Sequence, residues 1–171
     1  MAFFLKFNFN IIMKKPYYLL FLVSYLTLAQ IPSVDIKTLE GSIINTSEFK
    51  NDGNPIVISF WATWCKPCKQ ELENIHEVYE EWQEETNVKL IAISIDDSRN
   101  TSKIKPLVNA KGWEYEVYQD SNREFATKMG VSPIPHTFLL DKNKNVVWEH
   151  VTYSDGDEEE LYEKIVELNE N

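Results

Sequence analysis

Two cysteines separated by two residues, in the run W-C-K-P-C at residues 64–68, are the only thiols of this chain, so any sulfur chemistry it performs belongs to Cys65 and Cys68. An apolar run, P-I-V-I-S-F-W at residues 55–61, comes directly before them, and a segment of helical periodicity follows. The pair therefore sits where a buried strand turns into a helix. The first turn of a helix carries unpaired N–H groups and the positive end of the macrodipole, which favours thiolate over thiol. Cys65 is expected to be the more acidic and the more exposed of the two. Pro67 suits a first helical turn, where its missing N–H is not needed.

Other meanings of the spacing are weaker. A structural zinc site needs two further ligands, usually a second C-x-x-C or two histidines close together. His76, His136 and His150 are too far apart for that, and no metal is expected. An inert disulfide is the plainer alternative, yet it would close a loop of two residues, and stabilisation grows with loop length. Redox chemistry is favoured over both.

The elements that must position the pair can be read from periodicity. Residues 55–61 are apolar on both faces, as in a central strand, with Ser59 as the interruption. After Cys68, Leu72, Ile75, Tyr79 and Trp82 recur at spacings of three, four and three, which makes one inward helix face. Glu71 borders that face near the second sulfur. A carboxyl buried there titrates high and can pass protons near neutrality. The plain alternative is a solvated helix acid, as expected of Glu73, Glu77, Glu80, Glu81, Glu84 and Glu85.

Elsewhere, residues 31–49 read as two short strands turning at Glu40-Gly41. Residues 88–95 form the next strand, 101–111 a helix with Pro106 near its middle or at a break, and 115–118 a short strand. Residues 123–129 make a short helix that Gly130 ends. Residues 137–141 and 146–149 flank K-N-K-N as a hairpin, and a helix over 157–168 turns Leu161, Ile165 and Leu168 inward.

The stretch S-F-W-A-T-W-C-K-P-C-K-Q-E at 59–71 resembles the active site of the thioredoxin superfamily, and in particular its TlpA/ResA-like branch of extracytoplasmic thiol-disulfide oxidoreductases. A second block, G-V-S-P-I-P-H-T-F-L-L-D at 130–141, resembles the segment in which that family's cis-proline faces the cysteines. The resemblance runs over about residues 34–168. It implies an α/β thioredoxin fold, a mixed central sheet flanked by helices, with an N-terminal β-hairpin and an inserted helix-strand segment.

For the site, the resemblance implies Cys65 as nucleophile, Cys68 as resolving thiol and Glu71 as its proton partner. It makes the bond between Ile134 and Pro135 cis, offering an edge to an extended substrate beside Trp64, while Pro133 leaves a rigid trans turn open. Lys66 and Pro67 would tune the sulfurs, and Trp61 belongs to the core beneath. Three positions depart from the family pattern. Ser59 stands where thioredoxins proper keep a buried acid, Glu73 where the branch has a helix-kinking proline, and His136 where a small polar residue is common. His136 is expected to face solvent from the loop.

Length and composition suit one domain, over residues 31–171. Residues 1–29 hold Lys6, Lys14 and Lys15 and no acid; of the chain's 17 basic residues, 14 therefore face 27 acidic ones in the remainder, a net of −13. Such a surface excludes nucleic acid and anionic membrane surfaces as natural partners. Lys14-Lys15 and the apolar residues 17–29 read as an export signal cleaved before Gln30, with an uncut membrane anchor as the alternative and Met13 as a second possible start. A periplasmic or otherwise extracytoplasmic monomer is expected. It would exchange disulfides in exported proteins through the Cys65–Cys68 couple, without another cofactor, and a membrane thiol donor would re-reduce it. Cytochrome c maturation is one destination the resemblance suggests. Two rivals remain: a peroxiredoxin-like peroxidase, which needs a threonine where Ala62 stands, and a non-catalytic binding module on the same fold.

Overall fold

A computed structural model describes residues 30–170, and the expected export signal lies outside them. The strands are β1 (Asp35–Thr38), β2 (Ile43–Asn45), β3 (Ile56–Trp61), β4 (Lys89–Ser94), β5 (Glu116–Gln119), β6 (His136–Leu140) and β7 (Val146–Val151). The helices are α1 (Lys66–Thr86), α2 (Ile104–Lys111), α3 (Glu124–Lys128) and α4 (Asp157–Asn169). One sheet runs in the order β2-β1-β5-β4-β3-β6-β7. The pairs β3/β4 and β4/β5 are parallel and the others antiparallel, so the sheet is mixed.

Strand β3 is buried at every position because helices cover both faces of it. Its neighbours Ser59 and Phe60 point to opposite faces. Ser59 meets Glu71 of α1, whereas Phe60 packs 5.2 Å from Phe125 of α3, which places α1 and α3 on opposite sides of the sheet. On the α3 side, Phe49, Phe60, Phe125 and Phe138 form a run of aromatic contacts. On the α1 side, Trp61 lies edge-on to Trp113 at 5.3 Å, and Trp82 of α1 stacks on Tyr162 of α4 at 5.2 Å.

Helix α1 is long because its inward face is continuous: Leu72, Ile75, Tyr79 and Trp82 are all buried, at the spacing that the sequence shows. It ends where Asn87 turns left-handed, at φ 54°, and its N–H returns to Gln83 O. It runs unbroken through Glu73, which reaches across to Lys111 of α2 at 2.9 Å. The hairpin of β1 and β2 and the α2–β5 segment are both present, as the resemblance implies. Pro106 neither breaks α2 nor occupies its middle. A 3₁₀ turn over Thr101–Lys103 leads in, and Pro106 falls in the first turn of the helix, where no N–H is needed.

His136 corrects the sequence reading. Strand β6 begins one residue earlier than the apolar run suggests, so His136 is not in the loop but opposite Phe60, stacked on Phe138 at 4.1 Å and 5% exposed. Its Nε2 stands 3.5 Å from Glu149 Oε2, a charge contact without hydrogen-bond alignment, and burial holds its proton affinity below that of a free imidazole.

Leu72→Ala is expected to lower stability by about 2–5 kcal/mol, because it opens a cavity between α1 and the sheet. Urea unfolding should show an earlier midpoint with an unchanged slope.

Candidate active site

The strand-to-helix turn is built by its own residues. Cys65 is the N-cap of α1, and its Sγ accepts the backbone N–H of Cys68 at 3.2 Å. Pro67 lies in the first turn, and no acid does. The approach to Cys65 is clamped by Asp96, which follows β4. Its carboxylate accepts from Thr63 N and Thr63 Oγ1, both at 2.7 Å, and from Ser94 Oγ at 2.8 Å. The fold therefore delivers Cys65 to the helix end with its backbone fixed on either side.

Cys65 and Cys68 form a disulfide. Cys65 is 5% exposed and Cys68 fully buried, so the first sulfur is the one within reach, by a narrow margin. Cys65 Sγ also lies 4.0 Å from the carbonyl of Ile134. Ile134 precedes the cis bond to Pro135, and a second cis bond joins Ser132 to Pro133, so neither proline makes a trans turn. Pro135 O accepts from Thr152 N at 2.9 Å, which ties this loop to the end of β7. Trp64 is 62% exposed beside the sulfurs, and Lys66 and Pro67 are exposed at the mouth. The structure thus gathers Cys65, Cys68, Trp64, Ile134, Pro135, Lys66 and Pro67 at one end of the sheet.

Glu71 is buried. One of its carboxyl oxygens accepts from Ser59 Oγ at 2.9 Å, and the other from Thr137 Oγ1 at 2.7 Å. Ser59 and Thr137 are register partners across β3 and β6, so the sheet presents two hydroxyls side by side to one helical carboxyl. Removal from water pushes the Glu71 carboxyl up from 4.5 to about 7, against the two hydroxyl bonds, which favour the charged form. The serine that interrupts β3 is thus a hydrogen-bond donor to the buried carboxyl of Glu71. Sequence reasoning left out Thr137, Asp96 and Thr63; each acts through a partner far along the chain, and although Thr63 and Thr137 lie within the two motifs, Asp96 lies outside both.

Among the described residues, no group of three or more His, Cys, Asp and Glu side chains could hold a metal ion.

Residues 28–149 match the family model described as AhpC/TSA. The chain belongs to the AhpC/TSA family. Among curated relatives of this AhpC/TSA chain is the thiol-disulfide oxidoreductase ResA of Bacillus anthracis, 34% identical over 116 residues, which are 68% of this chain and 64% of ResA. The chain therefore spans just under two thirds of that relative. The solution structure of a thioredoxin-like protein from Porphyromonas gingivalis is similar with a TM-score of 0.75 and 49% identity, over 84% of this chain and 94% of that one. StoA of Bacillus subtilis shares the fold at a TM-score of 0.61 and 23% identity, over 78% of this chain and 97% of StoA. The fold is the thioredoxin fold that the two motifs imply.

Glu71 binds its proton more tightly in the folded than in the unfolded protein. Its contribution to stability is therefore full below pH 4.5 and is lost as pH rises through about 7. Glu71→Gln removes that slope. The stability of the oxidised variant relative to the parent is expected to improve by about 3 kcal/mol between pH 4 and pH 8, read from urea unfolding at both values. A difference that stays constant with pH would mean that the carboxyl is not held protonated.

Proposed function

We propose that this protein is an exported thiol-disulfide oxidoreductase that reduces or exchanges disulfides in extracytoplasmic proteins through Cys65 and Cys68. The observation that carries the reading is the Cys65–Cys68 disulfide at the start of α1, with Cys65 Sγ accepting a backbone N–H and lying against the Ile134-Pro135 loop. When the bond is reduced, the same N–H and the helix dipole stabilise a thiolate on Cys65. That thiolate attacks a substrate disulfide and forms a mixed disulfide, and one substrate sulfur leaves.

The substrate segment lies along Ile134 and Pro135, where Pro135 offers no N–H to compete, and Trp64 covers the bond from solvent. Glu71 as carboxylate takes the proton of Cys68. The Cys68 thiolate then attacks Cys65 Sγ, the protein disulfide forms, and the second substrate sulfur leaves reduced. Lys66 and Pro67 set the balance between the two forms. The protein needs no cofactor beyond this couple. Net reduction outside the cytoplasm requires a membrane thiol donor, and cytochrome c maturation is a fitting destination because it consumes reduced thiols. Residues 1–29 would export the chain or anchor it, and it would work as a monomer, away from nucleic acid.

The curated relatives named thiol-disulfide oxidoreductase support this reading over peroxidase chemistry. Buried Ala62 adds to that, since it carries no hydroxyl three residues before Cys65. A purely binding role predicts full activity after both cysteines are replaced.

Cys68→Ser is expected to trap a mixed disulfide between Cys65 and a disulfide-bearing substrate, visible by mass, whereas Cys65→Ser traps none. Equilibration of the parent with glutathione should place the couple near the reductants, about −270 mV; a value near −120 mV would reverse the direction assigned.

A further inference from the structure

Three strands bring a hydroxyl, a second hydroxyl and an imidazole into one row. Ser59 of β3 lies opposite Thr137 of β6, and Thr137 opposite His150 of β7. Directly opposite residues share a face of the sheet, with Cβ atoms about 5 Å apart. Ser59 and Thr137 both donate to Glu71, so this is the face that α1 covers. His150 extends the row to the sheet edge, where its ring is 29% exposed and its Nε2 lies 3.2 Å from Asp157 Oδ2, in the first turn of α4.

The far end of the row is held to α1 itself. Asp157 also accepts from Ser154 N at 2.7 Å. Gln70, the neighbour of Glu71, donates to Asp155 at 2.6 Å, and Asn74, one turn later, donates to Tyr153 Oη at 2.6 Å. The turn that carries Asp157 is therefore fixed against the helix that carries Glu71, and His150 reaches that turn through Asp157 while stacked on Trp148 at 5.7 Å.

We infer that His150, oriented by Asp157, is a positioning residue for Glu71, setting by its charge how readily the carboxyl gives up the proton that it takes from Cys68. The inference rests on the role proposed above for Glu71. In the resolving step the Cys68 S–H proton passes to the Glu71 carboxylate. The Cys68–Cys65 bond forms as the bond from Cys65 to substrate breaks, and the substrate sulfur leaves with the electron pair. Glu71 must then lose that proton to water before it can act again. An imidazolium at the end of the row favours the carboxylate and hence that discharge; a neutral ring does not.

The titratable and charged groups that act on Glu71 are His150 from β7, Asp157 from α4 and Tyr115 from the stretch before β5; Cys68 lies three residues before it on its own helix. Those facing His150 are Glu71 and Asp157, and His136, next to Thr137 on β6 but on the other face of the sheet, interacts with it by charge alone. His150 draws Glu71 toward its charged form, and Asp157 opposes it.

The test is the pH profile of Cys68-dependent release from a preformed mixed disulfide between Cys65 and a peptide thiol. Release rises with pH as Glu71 loses its proton. Under this inference His150→Gln moves the midpoint upward by about one unit, and in a Glu71→Gln background the same change moves nothing. A His150→Gln midpoint equal to the parent's, with Glu71→Gln still abolishing the inflection, overturns the inference and leaves the role of Glu71 standing. If Glu71→Gln leaves the profile unaltered, that role fails first. Should His150→Gln not fold, NMR titration of the full parent chain decides. A Glu71 carboxyl that titrates with two inflections supports the inference, and a single step overturns it.

Discussion

A carboxyl group cannot rest in an apolar core unless its oxygens are hydrogen-bonded, its charge is removed by a proton, or both. Glu71 has the first from two hydroxyls, burial favours the second, and the arrangement constrains three elements at once. Its two donors come from β3 and β6, and the carboxyl from α1. A slip of one residue between β3 and β6 would set His136 or Phe138 opposite Ser59 and put Thr137 out of place. A start of α1 one residue later would rotate Glu71 by about 100°, out of the row and toward solvent. The register of the sheet and the phase of the helix are thus coupled through one buried side chain. The phase is set by Cys65 as N-cap, so Cys65 and Glu71 are placed by the same event.

The charge distribution follows the same logic. The described chain is strongly acidic, and α4 begins with four acids in its first turn, where they complement the dipole. Helix α1 has none there, although Glu residues crowd its later turns. A carboxylate in the first turn of α1 would compete with sulfur for the same N–H groups and the same dipole, and would repel a thiolate. Keeping that turn free of acid and giving it Lys66 reserves the helix end for Cys65.

What the sequence made legible was whatever depends on neighbours within a turn or a strand. The inward face of α1 followed from four apolar positions, and the position of the cysteines from the strand before and the helix after. Glu71 could be suspected because it borders that face. Its hydroxyl partners could not, because Ser59 and Thr137 are brought to it by strand pairing, which no local spacing encodes. His136 was misplaced for a related reason. One residue at a strand boundary decides between loop and core, and what drew this residue inside was an aromatic cluster assembled from β3, β6 and α3. Pro106 read as a mid-helix residue or a break because the 3₁₀ turn before it, which moves it into the first turn of α2, leaves no periodic trace.

Glu73 links the phase of α1 to the placement of α2. The resemblance places a kinking proline there, and its loss would matter if the kink were what turned Glu71 inward. In this chain α1 is unbroken and Glu71 is buried all the same. The N-cap at Cys65 and the apolar series from Leu72 onward already fix the azimuth of residue 71, leaving nothing for a kink to decide. Position 73 is then free for another use, and its carboxylate reaches Lys111 at the end of α2, tying the inserted helix to the one that carries the cysteines. Both groups are partly solvated, so the pair contributes at most about 1 kcal/mol. Its effect lies in direction: it sets α2 beside the mouth of the site, where Leu107 and Lys111 line a shallow groove with Lys66 and Lys69.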